Sequence, residues 1–153
     1  DLPPHGSDTE GQRDSVRRTL LWAGRAKREH DNREPGNEGV RLFGILQGGT
    51  DLVLRKRCIE GMLRLDFDGY GIGGLSIGET EPEMMGMVRL TTLLLPREKP
   101  VYLMGVGSPV ELLNSIESGV DIFDSVFPAR HARHKTVLTR HGAYSIKSPK
   151  NAE

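Results

Sequence analysis

The stretch "DIFD" sets two carboxylates, Asp121 and Asp124, three residues apart in an apolar run. On a strand that spacing sends the two side chains to opposite faces, so only one of them can face a site. A carboxylate at a strand end is a nucleophile if it faces an electrophilic carbon, and a turn or helix cap if it does not. A second group relies on amide and backbone instead of charge. Gln47 closes the run "RLFGILQGG" beside Gly48 and Gly49, and its amide can donate to a purine carbonyl oxygen or simply be solvated. Gly73 and Gly74 offer bare backbone, which suits either a flat ring or tight packing. Met104, in "YLMG", has a polarizable thioether that fits a ring face or a core equally well.

A third group is cationic. Arg130, His131, Arg133, His134 and Lys135 crowd one short segment, where the alternatives are a grip on RNA phosphates and a solvated basic loop. His131 and His134 have no carboxylate or cysteine nearby in a ligand pattern, so no metal site is read here. The string "GYGIGGLSIGE" also contains the glycine spacing of a dinucleotide-binding turn, at Gly69, Gly71 and Gly74. That turn needs a strand before it and a helix starting within it. Here "RLDFD" precedes the glycines, and no helix begins before Glu81, so the spacing is a coincidence of composition.

These groups need elements to hold them. Residues 1–13 read as loop, and 14–31 as a helix capped by Asp14 or Ser15. Residues 41–127 then alternate between apolar runs and helical periodicity. The strands are "RLFGILQGG", "GYGIGGLSIG", "PVYLMGVG" and "VDIFDSV". The helices span 51–65, 81–95 and 109–118, with Pro82 in a first turn and Ser108 as a cap. Residues 128–153 form a basic, irregular tail in which "AYSIKS" is a short strand. Four similar β-α units predict an α/β fold, half of a (β/α)8 TIM barrel, with an open doubly wound sheet as the competitor. Barrel catalysts sit at the C-terminal ends of strands, which favours Asp124 over Asp121.

Bulk properties narrow the field. The 153 residues carry 21 Lys and Arg against 21 Asp and Glu, so a nucleic-acid partner would need a local basic patch. The single cysteine, Cys58, excludes an internal disulfide and makes a cytoplasmic home the simplest. No apolar run approaches the length that spans a membrane. The hydrophobic fraction, 36%, is low for a self-sufficient α/β domain, as if the chain were part of something larger.

The segments "FGILQGG", "GYGIGGLSIGE", "YLMGVGSP" and "GVDIFDSVFPARHAR" together resemble the tRNA-guanine transglycosylases, the queuine tRNA-ribosyltransferases. "RTLLWAGRAKR" is similar to the helix before the Gln-Gly-Gly strand of that family. The resemblance runs through nearly the whole chain. It implies an eight-fold barrel of which this chain is the second half. The general-base aspartate and an aromatic that covers the base would then precede Asp1. A structural zinc motif would follow Glu153, leaving no cofactor in this segment. The reaction implied is base exchange at the wobble position of tRNA, with Asp124 as nucleophile and Asp121 structural. Gln47 and the backbone of Gly74 would read the base, beside Gly73 and Met104. Leu75, Ile77 and Glu79 would meet the side arm of the incoming 7-deazaguanine, preQ1. The alternatives are exchange with a preQ0 base and a non-catalytic tRNA-binding partner subunit of the same family. Without the general base and half the pocket, the expectation for the chain alone is no exchange activity, and its raw sheet edges favour homodimerisation or other self-association.

Overall fold

The computed structural model describes residues 9–33 and 39–147. The chain runs α1 (Thr9–Asp31), β1 (Phe43–Leu46), α2 (Leu52–Leu63), β2 (Gly69–Ile72), α3 (Glu81–Leu94), β3 (Val101–Leu103), α4 (Pro109–Glu117), β4 (Ile122–Phe123), α5 (Phe127–Arg133), β5 (Thr136–Thr139) and β6 (Gly142–Ser145). Strands β1 to β4 form one parallel sheet in chain order, and β5 and β6 form an antiparallel hairpin. Strand, helix and neighbouring parallel strand follow one another as in a partial TIM barrel.

Local chemistry starts each helix of the repeat. The Asp51 carboxylate accepts from the N–H groups of Val53 and Leu54 at 2.9 and 3.0 Å, capping α2. At α3, Glu83 reaches back to the N–H and hydroxyl of Thr80 at 2.8 and 2.7 Å. Ser108 caps α4, whose first position is Pro109.

Each strand then sorts its side chains by face. Leu46, Ile72 and Leu103, the last residues of β1, β2 and β3, are fully buried in one cluster with Cys58, Ile59 and Val88 of the helices. The opposite face carries Phe43, Ile45, Gly69, Gly71 and Tyr102. A Cβ at Gly69 would fall 2.4 Å from the Phe43 ring, so that glycine makes the space the ring occupies. Ile45 remains 41% exposed there. Helices α2 and α3 thus cover the face that carries Leu46, Ile72 and Leu103.

Several boundaries differ from those read in the sequence. Helix α1 begins at Thr9, so residues 9–13 are helix and not loop; residues 1–8 lie outside the described residues. Asp14 does not cap it. It lies inside the first turns and pairs with Arg17 and Arg18 at 2.7 and 2.9 Å, as side chains three and four residues apart on a helix do. Strand β2 stops at Ile72, six residues short of the expected run. Beyond it Gly74, Ser76 and Gly78 adopt positive φ of 69°, 64° and 133°, which no strand accommodates. Strand β4 is reduced to Ile122 and Phe123, flanked by the two aspartates.

The described part of the basic tail, through residue 147, is regular and not irregular. Residues 127–133 form α5, where Pro128 sits in the first turn and its missing N–H does no harm. Residues 136–145 form a hairpin rich in β-branched and aromatic residues. The last six residues, 148–153, lie outside the described residues, as does the segment "EPGNE", residues 34–38.

A Cβ at Gly44 would lie 2.6 Å from the buried Phe67 ring, whereas one at Gly86 on α3 would meet nothing within 4 Å. Gly44→Ala is therefore expected to destabilise the fold by about 1–3 kcal/mol through overpacking. Gly86→Ala is expected to stabilise it by about 0.5–1 kcal/mol through helix propensity. Urea unfolding midpoints at constant slope measure both, and equal midpoints for the two variants would contradict the packing assigned to Phe67.

Candidate active site

Gln47 directly follows β1, and its backbone N–H donates to the buried Cys58 Sγ at 3.3 Å. That bond ties the end of the strand to α2. The side chain turns sideways toward the loop after β2. A Cβ at Gly73 would come within 3.0 Å of Gln47 Nε2, and one at Gly74 within 2.6 Å of Oε1. Only glycine permits this approach. Gly74 also has φ of +69°, a conformation in which a side chain would be strained. An amide and a stretch of bare backbone are thus brought together at the C-terminal ends of β1 and β2.

The rest of the loop is folded around Glu79. Its carboxylate accepts from the N–H of Ser76 through one oxygen and from that of Ile77, at 3.0 Å, through the other. This offsets the cost of the positive φ at Ser76. It also fixes a direction. In a trans peptide C=O and N–H point opposite ways, so with the Ser76 N–H turned to Glu79 the Leu75 carbonyl points away from it. The Leu75 side chain is buried and Ile77 is half-buried. Met104 follows β3, half-buried, and its N–H donates to the Ile72 carbonyl at 3.4 Å, beside the end of β2.

The two aspartates separate by function of position. Asp121, before β4, accepts from the Val101 N–H at 2.8 Å and so closes the start of β3 against β4. Asp124, after β4, is exposed at the opposite end of the strand. Its Oδ1 accepts from the Tyr102 hydroxyl at 2.5 Å and from the Gly105 N–H at 3.0 Å. Both bonds fall on one oxygen, and Oδ2 takes neither. The Tyr102 hydroxyl, with the Gly105 N–H behind it, holds the Asp124 carboxyl below the usual carboxylate range. The same bond pushes the Tyr102 phenol up, so the tyrosine stays a donor at neutral pH. Asp124 is therefore an ionised carboxylate with one oxygen anchored and the other directed elsewhere.

Just beyond it, Ser125 Oγ accepts from the Phe127 N–H at 3.1 Å and starts α5. Arg130, Arg133, His134 and Lys135 project from this helix and its end, all exposed. None pairs with an acid among the described residues. His131 differs from them. Its ring lies 4.0 Å from that of Phe127 and its Nδ1 is 3.0 Å from the Phe127 carbonyl, so it packs the helix instead of reaching outward.

Two residues were not singled out from the sequence. Tyr102 alternates with buried Val101 and Leu103, and that period-two pattern already put it on the open face. Arg55 shares the buried face of α2 with Cys58, Ile59 and Met62, where a charge is out of place. That mismatch was the signal.

Among the described residues, no group of three or more His, Cys, Asp and Glu side chains is arranged to hold a metal ion. No described helix is long and apolar enough to cross a membrane.

Removing the phenol tests how Asp124 is held. In Tyr102→Phe the titration midpoint of the Asp124 carboxyl carbon, followed by NMR, is expected to rise toward its ordinary value, since the largest depressing contact is lost. An unmoved midpoint would mean the tyrosine does not set the charge on Asp124.

A family model described as queuine tRNA-ribosyltransferase matches residues 1–153. The queuine tRNA-ribosyltransferase of Thermoanaerobacter pseudethanolicus is 46% identical over 150 residues, covering 98% of this chain and 39% of that protein. That of Halothermothrix orenii is 43% identical over 148 residues, covering 97% of this chain and 38% of its own length. That of Staphylococcus epidermidis is 42% identical over 153 residues, covering 100% and 39%. The chain thus spans about two fifths of the curated relatives it matches. With a family model across its whole length and relatives above 40% identity, this chain belongs to the queuine tRNA-ribosyltransferase family.

Proposed function

We propose that this chain forms the second half of the barrel of a tRNA-guanine transglycosylase. In this reading the intact enzyme exchanges the wobble guanine of a G-U-N anticodon for preQ1. The observation that carries the proposal is the Asp124 carboxylate, anchored through Oδ1 alone at the same rim as Gln47 and Gly74. Strands β2 and β4 are two strand spacings apart, about 10 Å, which suits a purine read at one end and attacked at its glycosidic carbon at the other.

Oδ2 attacks the anomeric carbon of the ribose as the bond to guanine N9 breaks, and the departing base takes the electron pair. A covalent Asp124–ribose ester remains. The incoming base, deprotonated at N9, then attacks the same carbon, and the ester bond breaks to return the carboxylate. Two displacements retain the configuration. Gln47 and the Gly74 N–H donate to the base carbonyl, and Met104 lies on the ring. Arg130, Arg133, His134 and Lys135 hold phosphates beside the extruded nucleotide. The general base and the aromatic cover belong to the other half of the barrel.

The side arm of the base is read by the loop that Glu79 organises. The Leu75 carbonyl, turned away from Glu79, is an acceptor for an aminomethyl group. Glu79 supplies negative charge that favours a cationic arm over a cyano group. Ile77 occupies volume beside it, which favours preQ1 over the larger queuine.

In the intact enzyme, Asp124→Asn is expected to abolish the covalent complex trapped on a denaturing gel with tRNA and a base analogue, while Asp121→Asn retains it. A persistent band in Asp124→Asn would remove the nucleophile assignment. Competition between labelled preQ1 and queuine tests the selector. Ile77→Gly is expected to shift discrimination toward queuine by about ten- to a hundred-fold, the usual worth of a filled pocket. Equal use of both bases by the unmutated enzyme would overturn the role given to Ile77.

A further inference from the structure

Arg55 projects from α2 into the interior and is fully buried. Its Nε and Nη2 donate to the Gly49 carbonyl at 3.0 and 2.8 Å, and Nη2 also donates to the Gly73 carbonyl at 3.1 Å. Its Nη1 is the only buried side-chain nitrogen or oxygen without a partner among the described residues. Burial lowers the guanidinium to about 10, so it is still charged at neutral pH. A buried cation with an unpaired donor contributes little to stability, and apolar replacements of such groups are often neutral or stabilising. Stability alone therefore gives no reason for an arginine here. Its contacts do: they join the loop after β1, which carries Gln47, to the loop after β2, which carries Gly74.

The direction of the second contact matters most. Arg55 draws the Gly73 carbonyl toward the core. Carbonyl and N–H are opposed across the planar trans peptide, so the Gly74 N–H is turned away from Arg55, and Gln47 lies close beside Gly74. Glycine on both sides of this bond leaves its orientation weakly determined by the chain itself. We infer that Arg55 is a positioning residue for base recognition: it fixes the Gly73–Gly74 peptide so that the Gly74 N–H and the Gln47 amide converge on one carbonyl oxygen of the base. This rests on the reading of Gln47 and Gly74 as donors to that oxygen.

The test uses two probes on the intact enzyme, 7-deazaguanine and its analogue with hydrogen in place of the carbonyl oxygen. Binding of each is measured by calorimetry for the unmutated protein, Arg55→Met and Arg55→Lys. Arg55→Met is expected to bind 7-deazaguanine roughly ten- to a hundred-fold more weakly, the usual cost of losing a well-aimed donor, and the analogue with unchanged affinity. Arg55→Lys keeps a cation that reaches one carbonyl, and is expected to show a smaller loss confined to the same probe. It also provides the readout should Arg55→Met fail to fold. Equal losses for both probes, or no loss for either, would overturn the assignment and leave Arg55 a packing residue. An unmutated enzyme that does not distinguish the two probes would overturn the underlying reading of Gln47 and Gly74 instead.

Discussion

A parallel hydrogen-bond ladder points every strand the same way, and this structure depends on that constraint. Because β1 to β4 pair in register and in chain order, all the loops that follow them open at one rim. Gln47, Gly74, Met104 and Asp124 lie far apart in sequence, yet each comes within two residues of a strand's C-terminal end. No loop has to travel to assemble the site. The helices return the chain to the opposite rim, where Asp121 holds the start of β3 and where Asp68 accepts from the Leu42 N–H at 2.9 Å. Acids therefore staple the backbone at one end of the sheet, while Asp124 stands exposed at the other.

Backbone peptides carry much of the geometry at the rim that holds Gln47, Gly74 and Asp124. Two side chains of opposite charge act on the loop after β2 from different directions. Arg55 holds a carbonyl before Leu75 and Glu79 holds N–H groups after it. Between them the loop is defined without regular secondary structure. The positive φ at Ser76, uncommon for a residue with a side chain, is kept by the bonds to Glu79. Such a loop presents donors and acceptors at fixed angles, which charged side chains on flexible stems do not.

The repeat of strands and helices was legible because apolar periodicity and caps agree in each unit. Asp51 and Ser108 sit where a helix must start, and the runs around Leu46, Ile72 and Leu103 are buried as apolar runs should be. Element ends were less legible. The run "GYGIGGLSIG" stays apolar past Ile72, but its glycines and Glu79 offer the backbone a local alternative to the ladder. Helix α1 runs through Asp14 because pairing with Arg17 and Arg18 gives that carboxylate a role inside the helix. At the site, side-chain types named the candidates, whereas Tyr102 and Arg55 act through contacts spanning 22 and 18 residues of chain. No local pattern encodes such pairs. The roles proposed for Gln47, Met104 and Ile77 rest on family resemblance, since residue type alone fits a solvated loop or a core equally well.

Cys58, the chain's only thiol, accepts a hydrogen bond from Gln47 while wholly enclosed, and burial raises its pKa. Alkylating reagents attack thiolates, and they need access. Here both conditions fail together so long as α2 lies on β1. Modification of this sulfur therefore proceeds through openings that part the helix from the end of the strand and release the Gln47 backbone in the same event. The protein carries an intrinsic clock for the parting of α2 from the end of β1, read by the rate at which its own thiol is alkylated.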